Sequence, residues 1–129
     1  MAEATDELRA AQPVLLTLHK ALLDAERAQV EAVHGAMSGS EFLQLVSDPV
    51  RYGWLKPFSR LIVAIDDTLN PRDDDTVAEP GDLLDQAREL VLPPKDETPF
   101  GRRYRSLMQK DPALVMAHSA VAKTLGRAA

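Results

Sequence analysis

The chain has 129 residues, 45% hydrophobic and 27% charged. That is enough for one domain with a single core, and it lies outside the low-hydrophobicity, high-charge regime of disorder. It has no cysteine, which excludes disulfides, thiolate catalysis and cysteine metal sites. The net charge of −5 is unevenly spread, with −10 on residues 1–99 and +5 on residues 100–129. Such a basic end either folds back on the acidic body or serves a partner. Its cations are interleaved with core-type apolar residues, which favours folding back.

The first ten residues, MAEATDELRA, contain no apolar stretch of the kind a signal peptide needs. The longest strictly apolar run, LIVAI at 61–65, is far too short to cross a membrane. A cytoplasmic protein without a membrane span is expected, although cysteine absence says little about compartment.

The first long element is expected from about Gln12 to Val33. Leu15, Leu18, Leu22, Ala25 and Ala32 share a stripe widened by Leu16, Leu23 and Val30. Residues Thr5 to Ala11 read as a short lead-in helix, with Pro13 as a kink or a fresh start. Gly35 is placed to end the helix. Ser38 and Glu41 then have capping-box spacing, and Phe42, Leu45 and Val46 follow as one apolar face. Asp48-Pro49 closes that helix and opens another turn.

The stretch VRYGWLKPF, residues 50–58, holds three of the six aromatics. Gly53 and Pro57 bracket a break, which leaves Trp54 at a corner. From Pro57 to Leu69 the apolar residues Phe58, Leu61, Ile62, Ile65 and Leu69 keep helical spacing until Asn70-Pro71. Residues 70–82 read as a polar loop. Asp73 and Asp75 give one alternation of a calcium loop, but the pattern then fails for want of a glycine. Leu83, Leu84, Ala87, Leu90 and Val91 mark the next helix. Phe100, Tyr104, Leu107 and Met108 mark another, and Leu114, His118, Val121 and Leu125 the last, with Gly126 as its stop.

Proline punctuates these helices as a start signal. Five X-Pro steps precede expected turns, and at Asp48, Thr98 and Asp111 the residue before proline is a good N-cap. No period-two alternation requires a sheet. The expectation is an all-α antiparallel bundle of four principal helices plus one or two short ones, spanning residues 1–129 as one domain.

The candidate chemistry is sparse. Glu31-x-x-His34 resembles half of a carboxylate-bridged metal site, but a second such pair is missing, and His34 beside Gly35 suits the negative end of a helix dipole. His118 sits on an apolar stripe and needs hydrogen-bond partners, for which Glu26, Asp66 and Asp67 are candidates. His19 shares a face with Leu15, Leu22 and Glu26. One reading is therefore a metal or acid–base site using His19, Glu26, Glu31, His34 and His118; the plainer one is a set of polar contacts fixing helix register. Activated serines and phosphate-binding glycine loops are absent, and no cofactor is expected.

Two mixtures of cations and aromatics remain. Arg51, Tyr52, Trp54, Lys56 and Arg60 form one, and Arg102, Arg103 and Arg105 around Tyr104 form the other. Such mixtures suit single-stranded nucleic acid, but an overall charge of −5 works against phosphate binding. With catalysis lacking a foothold, the leading expectation is a small helical bundle that binds another protein or a second copy of itself, in a regulatory or adaptor role. Arg51, Tyr52, Trp54, Lys56, Arg102, Arg103 and Arg105 are its candidate partner-binding residues.

Overall fold

In the computed structural model, residues 2–72 and 78–126 are described; Asp73 and Asp75, weighed above for calcium, lie outside them. All regular structure among these residues is helical. In chain order the helices are α1 (Ala2–His34), α2 (Gly39–Val46), α3 (Pro49–Tyr52), a 3₁₀ turn (Gly53–Leu55), α4 (Lys56–Leu69), α5 (Pro80–Val91), α6 (Pro99–Met108) and α7 (Pro112–Leu125). The all-α bundle expected from the sequence is what forms. Helices α1, α4, α5 and α7 are its principal members, with α6 and α2 shorter. No described helix is long and apolar enough to cross a membrane.

The helix starts follow local chemistry. Ser38 and Glu41 form the expected capping box, each side chain reaching the other's backbone N–H. Asp48 accepts from the Val50 N–H at 2.9 Å, Thr98 from the Gly101 N–H at 2.9 Å, and Asp111 from the Ala113 N–H at 2.9 Å. Each satisfies a donor that has no partner inside its helix. Helix α5 begins at Pro80, three residues before its first apolar residue, and Glu79 gives it no side-chain cap. Gly35 ends α1 with φ +88°, a conformation that side chains rarely adopt.

Pro13 does not break the first helix. Residues Ala2–His34 form one continuous α1, with no separate lead-in. Proline in a helix interior costs about 3 kcal/mol, so something non-local must offset it. Leu8, Ala11, Leu15, Leu18 and Leu22 are all fully buried on one stripe that runs straight through the proline. Burying a leucine is worth roughly 1.5–3 kcal/mol, so keeping that stripe intact outweighs the lost bond, while the ring of Pro13 faces solvent.

Helix α1 is the axis of the bundle, packing most extensively on α7 and then on α4, α5 and α6. The core joins its stripe to Phe58, Leu61 and Ile65 of α4, Leu83, Leu84, Ala87 and Val91 of α5, Tyr104 and Leu107 of α6, and Leu114 and Val121 of α7. The basic end does fold back on the acidic body. Arg103 of α6 pairs with Glu26 of α1. Arg88 of α5 ties the two chain ends, donating to Glu7 at 2.6 Å and to the Leu125 carbonyl at 2.9 Å. The latter satisfies an acceptor that the end of α7 leaves open.

Candidate functional site

Five of the six aromatics join in one chain of ring contacts. Tyr52 meets Trp54 at 6.2 Å between centroids, Trp54 meets Phe100 at 6.3 Å, and Phe100 meets both Phe58 and Tyr104, at 5.8 and 5.5 Å. The Phe58–Phe100 pair is edge-on, a geometry favourable beyond its burial, and the other three are tilted. Phe58, Phe100 and Tyr104 are buried and Trp54 is half-buried. The two cation–aromatic stretches, 50–58 and 101–105, are thereby brought against each other. Neither spacing nor charge foretold that meeting.

Beneath the contact lies Glu26, only 6% exposed. The Tyr52 hydroxyl donates to its Oε2 at 2.8 Å. Arg103 donates to its Oε1 through Nε and Nη2, at 2.8 and 2.6 Å. One carboxylate thus fastens α1, α3 and α6 together. Burial, followed by the hydrogen bond to Glu26 and its negative charge, pushes the Tyr52 phenol up to about 12. Burial also raises the Tyr104 phenol above its ordinary value.

The sign of the resulting pH dependence is fixed. Each folded-state pKa lies above the unfolded value of roughly 10, so the folded chain holds these protons more tightly. The stabilisation is whole below about pH 10 and is lost as pH rises toward about 12. Urea unfolding should show a midpoint that falls across that interval, and Tyr52→Phe should flatten the fall. A wild-type midpoint constant through that interval would contradict it.

Above the Glu26 cluster, Trp54, Pro99, Arg102, Arg103 and Ser106 line an open cleft of about 360 Å³. Residues Pro99, Arg102, Arg103 and Ser106 follow i, i+3, i+4, i+7 and so form one face of α6. Arg102 commits one Nη1 bond to the Asp96 carbonyl at 3.0 Å. A guanidinium carries five N–H donors, and Arg102 is exposed, so donors remain for a ligand. Arg103 is held by Glu26 through Nε and Nη2 and lines the cleft as well. The result is a half-buried indole beside two ordered guanidinium groups.

The remaining candidates fall elsewhere. Tyr52 is buried under the cleft and Arg51 and Lys56 are exposed on the adjoining turns, outside its lining. Arg105 donates to the Pro94 carbonyl at 2.8 Å and pairs with Asp96, so it braces the 92–98 loop.

The five residues considered for a metal or acid–base site are not brought together. His19 Nε2 lies 3.0 Å from the Ser59 hydroxyl and packs edge-on to Phe58. His118 Nδ1 lies 2.7 Å from the Tyr104 hydroxyl, so its partner is a phenol of α6 and not Glu26, Asp66 or Asp67. Burial lowers the pKa of both imidazoles, which favours their neutral forms. Glu31 accepts from the Met37 N–H at 2.9 Å and from Arg27, which reaches the Met37 carbonyl as well, so it closes the turn after α1. His34 is exposed at the helix end. Among the described residues, no three histidine or carboxylate side chains are placed to hold a metal ion. His19 and His118 instead link α1 to α4 and α6 to α7.

Comparison of the chain with protein-family models, with curated proteins and with solved structures returns no match.

Proposed function

We propose that the chain is a protein-binding module, acting by recognition and not by catalysis, whose Trp54 cleft takes an acidic segment of another protein. The observation that carries this reading is the convergence of Trp54, Arg102 and Arg103 in one cleft. Trp and Arg are the residue types that dominate binding energy at protein interfaces. Here Arg103 is pre-organised by the buried carboxylate, so little rotamer freedom is lost on binding. The planar Arg102 group suits bidentate recognition of a carboxylate. Nucleic acid is disfavoured by the chain's net charge of −5.

Trp54 is the sole tryptophan, so its fluorescence reports on the cleft without labelling. A displayed random-peptide library, sorted on the purified chain, should enrich acidic sequences. The selected peptides should shift Trp54 emission and bind more weakly as salt rises. Arg102→Glu should weaken them at least tenfold while leaving the melting temperature unchanged. Peptides without acidic bias, or acidic ones that the Arg102→Glu chain binds equally well, would overturn the reading.

A further inference from the structure

We infer that the outer face of α7 is a two-fold interface between copies of this chain, separate from the Trp54 cleft. The first observation is composition. Helix α7, PALVMAHSAVAKTL, has one formally charged side chain, Lys123, in fourteen residues. By contrast, α5 places Asp82, Asp85, Arg88 and Glu89 away from the core, and α6 carries three arginines. A helix with so few charges more often lies inside a protein. Yet the outer side of α7 is open, with Met116 73% and Val115 44% exposed.

The second observation is shape. Between α7 and α1 runs a groove of about 510 Å³, whose walls include Thr17, Ala21, Ala113, Ala117 and Ala120, with Met116 beside them. Small side chains leave the hollow, and a long, flexible apolar one projects next to it. A hollow and a projection on one patch are what a two-fold interface requires, because each copy then offers both to the other. Met116 of each chain would enter the groove of the other, as a knob enters a hole.

The third observation is charge, and it permits a second copy at this face. Two chains of net charge −5 repel over most of their surfaces. This patch lacks that acidic excess: Lys20 pairs with Asp24 on the α1 side, Lys110 and Asp111 lie beside Val115 and Met116 at the start of α7, and Lys123 lies near its end. Two α7 helices crossing antiparallel near Ala117 would set each Lys123 at the Asp111 end of the other, with helix dipoles opposed. A standard interface takes about 800 Å² per partner, roughly a tenth of this chain's 7860 Å² surface.

The chain lacks cysteine, so one introduced thiol reports the geometry. Light scattering should give twice the 14.2 kDa chain mass, falling to the single mass on dilution. Met116→Glu should weaken the dimer at least tenfold with no change in melting temperature, since that side chain is mostly in water. Ser119→Cys, exposed on the same face, should be joined into dimers by a short bis-maleimide, whereas Val50→Cys on α3 should not. A monomer up to about millimolar concentration, a dimer untouched by Met116→Glu, or absence of the Ser119→Cys product would each overturn the inference. Peptide capture at the Trp54 cleft should persist in the Met116→Glu chain, so the two sites are judged independently.

Discussion

Replacing Arg103 with methionine is expected to destabilise the fold by about 3 kcal/mol, the lower end of what removing one partner of a buried ion pair costs. The reason is what remains behind. Glu26 is almost wholly buried and would keep only the Tyr52 hydroxyl. A carboxylate in that position must either stay charged without a cation or take up a proton, and both oppose folding. The figure sits at the lower end because the Arg103 side chain is 34% exposed, so water can reach part of the vacated space. Removing the whole cluster should behave differently. In Glu26→Met/Tyr52→Phe/Arg103→Met no polar group is orphaned, and most of the lost stability should return, since well-packed apolar replacements for buried pairs are often neutral or better. Urea unfolding followed by circular dichroism and by Trp54 emission measures both. If Arg103→Met costs no more than an ordinary surface change of about 0.5 kcal/mol, the cluster does not hold α1 to α6. The triple variant should also lose acidic-peptide capture despite its recovered stability, which separates Arg103 as a support of the fold from Arg103 as a wall of the cleft.

The parts of this fold legible in the sequence are those set by neighbours along the chain. The capping box of Ser38 and Glu41, the N-caps at Asp48, Thr98 and Asp111, and the stripe of α4 all act within a few residues, and each was readable from spacing. Pro13 shows where that logic stops. Its local cost is visible, but the offsetting burial comes from α5 and α7, some seventy to a hundred residues away. The histidines show the same boundary. Helical spacing put His118 and His19 on buried faces correctly, yet a face is not a partner, and the groups they meet lie 14 and 40 residues away. Glu26 was legible as a charge on an apolar stripe, which signals a buried partner of some kind. That the partner is Arg103, 77 residues on, and not a metal ion, follows only from how α6 lies against α1. The Trp54 cleft was half legible. Both of its segments stood out by composition, and only packing joined them. It also buried Tyr52, and it tied Arg105, still exposed, to the 92–98 loop.

Gly101→Ala should be at least as damaging, at about 3 kcal/mol or more, although nothing in the sequence marks this glycine. It sits in the first turn of α6, where alanine ordinarily favours a helix by up to about 1 kcal/mol. Here an added Cβ would overlap the Lys95 carbonyl oxygen and lie 2.6 Å from the carbonyl carbon. The obstacle is backbone, so no side-chain rotation relieves it. Nor is that backbone free to retreat. The Lys95 carbonyl accepts from the Thr98 N–H at 3.3 Å and from its hydroxyl at 3.1 Å, and the adjoining Pro94 carbonyl is held by Arg105 at 2.8 Å. Since Thr98 is the N-cap of α6, moving Lys95 away also disturbs the cap. Overpacking that forces backbone shifts costs roughly 1–3 kcal/mol and occasionally more, and loss of a cap adds about 1 kcal/mol. Gly39→Ala is the internal control: it too begins a helix, α2, but a Cβ there meets nothing within 4 Å. It should be neutral or stabilise by less than about 1 kcal/mol through the unfolded chain. Urea midpoints for the two variants should therefore move in opposite directions or, for Gly39→Ala, hardly at all. Because α6 carries Arg102 and Arg103, the Gly101→Ala chain should also lose peptide capture under conditions where it is still folded. A Gly101→Ala chain within about 0.5 kcal/mol of wild type would mean that the 95–98 turn yields freely.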